Sequence, residues 1–184
     1  MEINTHRLYL VPLTAEQLED LAEDLPRLEQ SLDCIYQGPV LDDEQRGELQ
    51  ARARQVQADP AQWLWNTVWL ILRKRDRIAV GQVAFSGPPN DKGEAQLRYA
   101  LGEPHTHLGY MTEAVYELCN WGKEQPGLRY FMAETVDDDF AAQRVLRRCG
   151  FLEWGGEKTI RWCRSAAANR NPGWSILNWG IDEL

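Results

Sequence analysis

The chain has no Cys-x-x-Cys pair, no surplus of basic residues and no run near the ~20 apolar residues that span a bilayer. No membrane partner is therefore expected. A formal net charge of −8 argues against a nucleic-acid backbone as the main partner, because phosphate binding needs basic clusters. His105 and His107 have no Cys, Asp or Glu neighbour at ligand spacing, so no metal is expected. Ser31 and Ser86 stand in no nucleophile-elbow context, which leaves hydrolase chemistry without support. The opening residues Met1–Thr5 show no basic region followed by an apolar run, so no signal peptide is expected and a cytoplasmic location is. No internal repeat is visible.

What is present reads as one soluble domain. The 184 residues can bury a sizeable core, and 43% hydrophobic with 26% charged residues are ordinary values. Eight Trp are many for this length, and such rings belong in a core or at an interface. Cys34, Cys119, Cys149 and Cys163 read as free thiols in a reducing compartment. The acidity serves solubility, or it draws a cationic amine; both readings stand.

Along the chain, Arg7–Val11 alternates as a strand stopped by Pro12. Thr14 with Gln17 forms a capping-box pattern before a helix carrying Leu18, Leu21 and Leu25 on one face. A second, polar helix from about Asp42 to Ala58 is expected to be mobile or surface-lying. Trp63–Leu72 is apolar on both alternate faces and reads as a central strand. Ile78–Phe85 is the next strand, with a parity shift that places a bulge near Gly81-Gln82. After a loop at 86–93, Ala95, Leu97, Tyr99 and Leu101 alternate cleanly. A helix opens at Gly109, a strand covers 129–136, and Ala142, Val145, Leu146 and Cys149 form the stripe of another helix, capped by Gly150. A last strand covers 157–164. The class is mixed α/β.

Two stretches carry more. One is Gly109-Tyr110-Met111-Thr112-Glu113-Ala114-Val115, a helix start after a strand; the other is Arg144-Val145-Leu146-Arg147-Arg148-Cys149-Gly150-Phe151. In this order and spacing, over roughly residues 4–164, the chain resembles the GNAT family of acetyl-coenzyme A-dependent N-acetyltransferases. It is most similar to the branch acting on ribosomal-protein N-termini. The resemblance implies a mostly antiparallel central sheet with a splayed strand pair and flanking helices. It implies acetyl-CoA as co-substrate and a primary amine, small or at a protein N-terminus, as acceptor. Leu101, His107, Leu108, Gly109, Tyr110, Met111, Thr112, Asp139 and Ala142 fall on its cofactor-binding positions.

The chain departs from the family pattern at several of these places. Pro104 stands at the Arg or Gln position of the phosphate loop and His107 at its first Gly. The His107 side chain either crowds the phosphate and resists a positive φ, or donates to it. Asp139 replaces an Asn, Ala142 a Ser, Leu146 a Tyr and Gln96 the usual Glu base. Glu94 and Glu134 are the alternative bases. Glu134 shares parity with Tyr130, Met132 and Val136, which makes it either partly buried with a raised pKa or a solvated edge carboxylate. Arg144, Arg147 and Arg148 either meet phosphates or form a solvated face. The alternative to an enzyme is a non-catalytic GNAT-like domain that binds a ligand or protein partner. Residues 165–184 carry Trp174, Ile176, Leu177, Trp179 and Ile181, and this tail is expected to pack on its own domain or across a homodimer interface.

Overall fold

The computed structural model describes residues 1–156 and 159–167. Beyond residue 167, the expectation for the tail lies outside them. The described strands are β1 (Ile3–Asn4), β2 (Leu8–Pro12), β3 (Ile35–Tyr36), β4 (Val68–Arg73), β5 (Ile78–Phe85), β6 (Glu94–Leu101), β7 (Tyr130–Val136), β8 (Leu152–Glu153) and β9 (Thr159–Ser165). They form one sheet in the order β1-β2-β4-β5-β6-β7-β9-β8, with β3 beside β5. Pairing is antiparallel except for β6 with β7 and β3 with β5.

The helices are α1 (Ala15–Glu23), α2 (Leu25–Leu32), α3 (Asp43–Ala58), α4 (Trp63–Asn66), α5 (Tyr110–Lys123) and α6 (Phe140–Arg148). They make two layers. Leu18, Leu21, Leu28, Leu49 and Ala53 from α1 to α3 pack on Val68, Leu70, Leu72 and Ala79. Met111, Ala114, Val115, Leu118 and Leu146 from α5 and α6 pack on Trp69, Ile71, Val83, Leu97 and Phe131. Strand β4 feeds both layers, even-numbered residues to one and odd to the other. That is why its sequence is apolar without interruption.

The expected capping box is present, with Thr14 accepting from the Gln17 N–H and Gln17 reaching back to Thr14 N–H. Three expectations need correction. The strand read from Trp63 starts only at Val68, because Pro60 opens a 3-10 turn that runs into the helical turn α4. That turn aims Trp65 into the core, with its ring centroid 4.7 Å from Phe85 and 4.9 Å from Trp121. The bulge falls one residue early. Ile71 faces Gly81 and Leu72 faces Ala79, so Val80 is the extra residue. Gly81 is required here, since a Cβ would lie 2.4 Å from the Ala100 carbonyl oxygen.

The third correction concerns α3, which does more than lie on the surface. It buries Leu49, Ala53 and Val56 against α1. Two of its arginines donate to backbone carbonyls of neighbouring elements. Arg46 donates to Ala22, and the Arg52 Nη1 donates to Asn66 (3.0 Å) and Phe85 (2.8 Å). Helix α2, capped by Asp24, and the two-residue strands β1, β3 and β8 are additions to the sequence reading.

Candidate active site

Strands β6 and β7 are parallel and stay paired only from Glu94–Gln96 with Tyr130–Met132. Beyond that point they diverge, and the sheet opens in a V. A cavity of about 250 Å³ lies at the open end. Leu101, His107, Gly109, Met111 and Thr112 line it from β6 and the start of α5, and Asp139 and Ala142 line it from α6. Seven of the nine residues singled out for cofactor contact thus share one space. The other two face elsewhere. Leu108 is 39% exposed, and Tyr110 is buried with its ring centroid 4.7 Å from the Arg7 guanidinium carbon.

The cavity wall at α5 presents groups that suit an anion. Gly109 is the N-cap, at φ +72°, and no side chain caps the helix. The N–H groups of the first turn and the positive end of the helix dipole are left for a ligand. Arg144 and Arg148, four apart on α6, add two cations to the same lining. Arg147 does not join them; it pairs with Glu153 at 2.6 Å and lies over Trp162. His107 adopts φ +61°. That is the left-handed backbone a glycine would take without cost.

Other side chains fix the walls. The Asp139 carboxylate accepts from the Ala142 N–H at 2.9 Å and is thereby engaged as the cap of α6. Tyr99, read from the sequence only as a strand residue, donates its hydroxyl to the Ala142 carbonyl at 3.0 Å and ties α6 to β6. Burial pushes its phenol far up, so it stays a donor at all ordinary pH. Cys149 donates to the Thr112 carbonyl at 3.4 Å, and burial raises its thiol. Burial likewise pushes Cys119 up to about 12. Both are inert fillers.

The two carboxylates proposed as bases occupy different places. Glu94 bonds to the Asn90 amide at 3.0 Å at the closed end of the V. At ~3.3 Å per residue it stands roughly 16 Å along β6 from Tyr99. Glu134 is exposed, opposite Arg161 in register. The reading of Glu134 as partly buried is therefore corrected: Phe131, Ala133 and Thr135 face the core instead. It also lies on an inner strand, not an edge. Continued register would bring Glu134 level with Arg98 across the V. Glu48 of α3 reaches the same face, 3.3 Å from Arg98.

Behind the cavity loop, His105 is 5% exposed, with Nε2 2.9 Å from the Gln37 amide oxygen. Burial, then the nearby Arg73, pushes its pKa below the ordinary 6.5, against a smaller opposing effect of Asp76. The unfolded chain thus binds more protons as pH falls through 6.5. Stability should be complete above that pH and decline below it. Urea melts between pH 5 and 7.5 should show that slope, and His105→Gln should flatten it; an unchanged slope contradicts the assignment.

Among the described residues, no helix is long and apolar enough to cross a membrane, and no group of three or more His, Cys, Asp or Glu could hold a metal ion. Solved structures share the fold. A ribosomal-protein-S5-alanine acetyltransferase from Vibrio fischeri superposes with a TM-score of 0.68 at 15% identity, over 91% of this chain and 98% of that one. RimL, a ribosomal L7/L12 α-N-protein acetyltransferase in complex with coenzyme A, gives 0.66 at 18%, over 92% and 100%. A Salmonella typhimurium acetyl transferase that modifies the N-terminal serine of L7/L12 gives 0.64 at 18%, over 90% and 99%. In sequence, the chain is 29% identical over 84 residues to YjdG of Bacillus subtilis, an uncharacterized N-acetyltransferase. That match covers 46% of this chain and spans about half of the relative's length. Residues 7–152 match the acetyltransferase (GNAT) domain. With that match over most of its length, and with the V-shaped sheet opening and uncapped helix start described above, the chain belongs to the GNAT acetyltransferase family.

Proposed function

We propose that the protein is an acetyl-CoA-dependent N-acetyltransferase whose acceptor is a primary amine, on a small molecule or at a protein N-terminus. The observation that carries this reading is the 250 Å³ cavity, which joins an uncapped helix start to the open end of the V. The α5 amides, with Arg144 and Arg148, hold the pyrophosphate. Strand β6 from Leu97 to Leu101 offers backbone groups to the pantetheine amides. The thioester then lies in the V, and the amine approaches from the face bearing Gln96, Arg98 and Glu134. The amine nitrogen attacks the thioester carbonyl carbon, the C–S bond breaks and the thiolate leaves. Glu134, directly or through a water, takes the amine proton. Much of the rate comes from holding the two reactants together, which suits a site without a Ser at 142 or a Tyr at 146. A protein N-terminus as acceptor is supported by the substrates of the structural neighbours.

Calorimetric titration with acetyl-CoA tests the reading, followed by thiol release against a panel of amines and peptide N-termini. Binding at micromolar to low-millimolar concentration and thiol release are expected. No binding at millimolar ligand would leave the chain a GNAT-like binding domain without this chemistry. His107→Gly should tighten acetyl-CoA binding several-fold, since it removes a side chain from the cavity and suits the backbone at φ +61°. Weaker binding by that variant would make the imidazole a phosphate ligand.

A further inference from the structure

The first turn of α5 contains a carboxylate that the proposed chemistry does not use. Glu113 is 4% exposed. Its Oε1 accepts from the Thr5 hydroxyl (2.5 Å) and the Arg7 N–H (2.7 Å), and its Oε2 accepts from Arg7 Nε (2.8 Å). Arg7 then extends past it. Its Nη1 donates to the Leu108 carbonyl at 2.9 Å, and its guanidinium covers the Tyr110 ring. One side chain just before β2 therefore grips both the loop before α5 and the helix itself.

The carbonyl it grips matters because of peptide geometry. The Leu108 C=O and the Gly109 N–H belong to one planar trans peptide and point in opposite directions. With the carbonyl held on the Arg7 side, the Gly109 N–H is turned the other way, and Gly109 lines the cavity. Charge acts in the same direction. An unpaired Glu113 carboxylate in the first turn would offset the positive end of the helix and repel an anion held there. Arg7 neutralises it.

We propose that Arg7, held by Glu113, is a positioning residue of the anion site: through the Leu108 carbonyl it aims the Gly109 amide at the ligand phosphate, and it cancels the buried carboxylate beneath. The proposal rests on the cavity binding coenzyme A. Arg7 touches no reacting atom.

The test uses the full chain, with coenzyme A as the probe. Its dissociation constant and the melting temperature are measured for the natural protein, for Arg7→Met with Glu113→Met, and for Arg7→Lys. The double variant leaves the Arg7 N–H and the Thr5 hydroxyl without their Glu113 acceptor, so it should melt several degrees below the natural protein while remaining folded at the assay temperature by circular dichroism. It should bind coenzyme A about tenfold or more weakly, as expected for a misaligned hydrogen bond to a charged group. Its Gly109 amide should also lose the NMR shift that coenzyme A induces in the natural protein. Arg7→Lys keeps the charge beside Glu113 but has no second arm for Leu108, and it too should bind at least several-fold more weakly. Coenzyme A bound as tightly by either folded variant, with the Gly109 shift retained, overturns the proposal while the cavity assignment stands. No binding by the natural protein overturns both, and shows itself before any variant is compared.

Discussion

Gly109→Val should abolish coenzyme A binding, a loss on the order of a hundredfold or more, while leaving the protein folded. Two effects act together at this residue. Its backbone, at φ +72° and ψ 2°, is in the left-handed region that a β-branched residue resists at about 1–3 kcal/mol. Its position on the cavity wall is where a phosphate must approach the main chain, and an isopropyl group there fills the approach. The strain falls on the half-buried N-cap of α5 and not on the core. At about 2–4 °C per kcal/mol for a chain of this size, the melting temperature should drop by several degrees only. Circular dichroism and calorimetry on the same sample check both halves. Undiminished binding by a folded variant would remove the anion site from this loop.

The largest stability effect is expected at Phe85. It is fully buried at the end of β5, with ring centroids 4.7 Å from Trp65, 6.1 Å from Phe131 and 6.2 Å from Trp121. Those rings come from α4, β7 and α5, so Phe85 joins the two halves of the sheet to the helix that opens at the cavity. Phe85→Ala should cost about 3–5 kcal/mol, because the three large rings around it cannot close over the lost volume. That is a large share of the roughly 5–15 kcal/mol of a whole domain. The urea midpoint should fall accordingly with an unchanged slope. A loss under about 1 kcal/mol would show that the cluster collapses around the gap.

The elements that frame the site were legible wherever a period could be counted. Strand β6 alternates, α5 and α6 carry stripes at spacings of three and four, and β4 is apolar on both faces because two helical layers cover it. Short elements had no period to show. Helix α4 is a single turn within an apolar run that reads as strand, and α2 follows α1 after one residue, Asp24. Of the two readings of Glu134, the buried one failed for a specific reason. Tyr130, Met132 and Val136 make its parity look apolar, but α5 and α6 pack on the opposite parity, Phe131 and Ala133. Period two identifies the faces of a strand, while the placement of helices decides which face is covered.

The cavity was legible because its residues come from two local stretches, 99–112 and 139–148. What holds those stretches in place was not. Tyr99 meets Ala142 across 43 positions, and Arg7 meets Glu113 across 106. Glu113 alone reads as an ordinary acidic residue in a first helical turn, and nothing near Arg7 announces its partner.

That separation also orders events in time. Strands β4, β5 and β6 follow one another closely and can pair as soon as each neighbour exists. The Arg7–Glu113 contact closes a loop of more than one hundred residues, an entropic cost that is met only after the intervening strands have assembled. The contact therefore belongs to the late, native side of the folding barrier. Weakening it should accelerate unfolding and leave the folding rate nearly unchanged. During synthesis, the loop before α5 cannot take its final shape until β2 and α5 have docked, and the cavity is complete only after α6, made later, has packed on its other side.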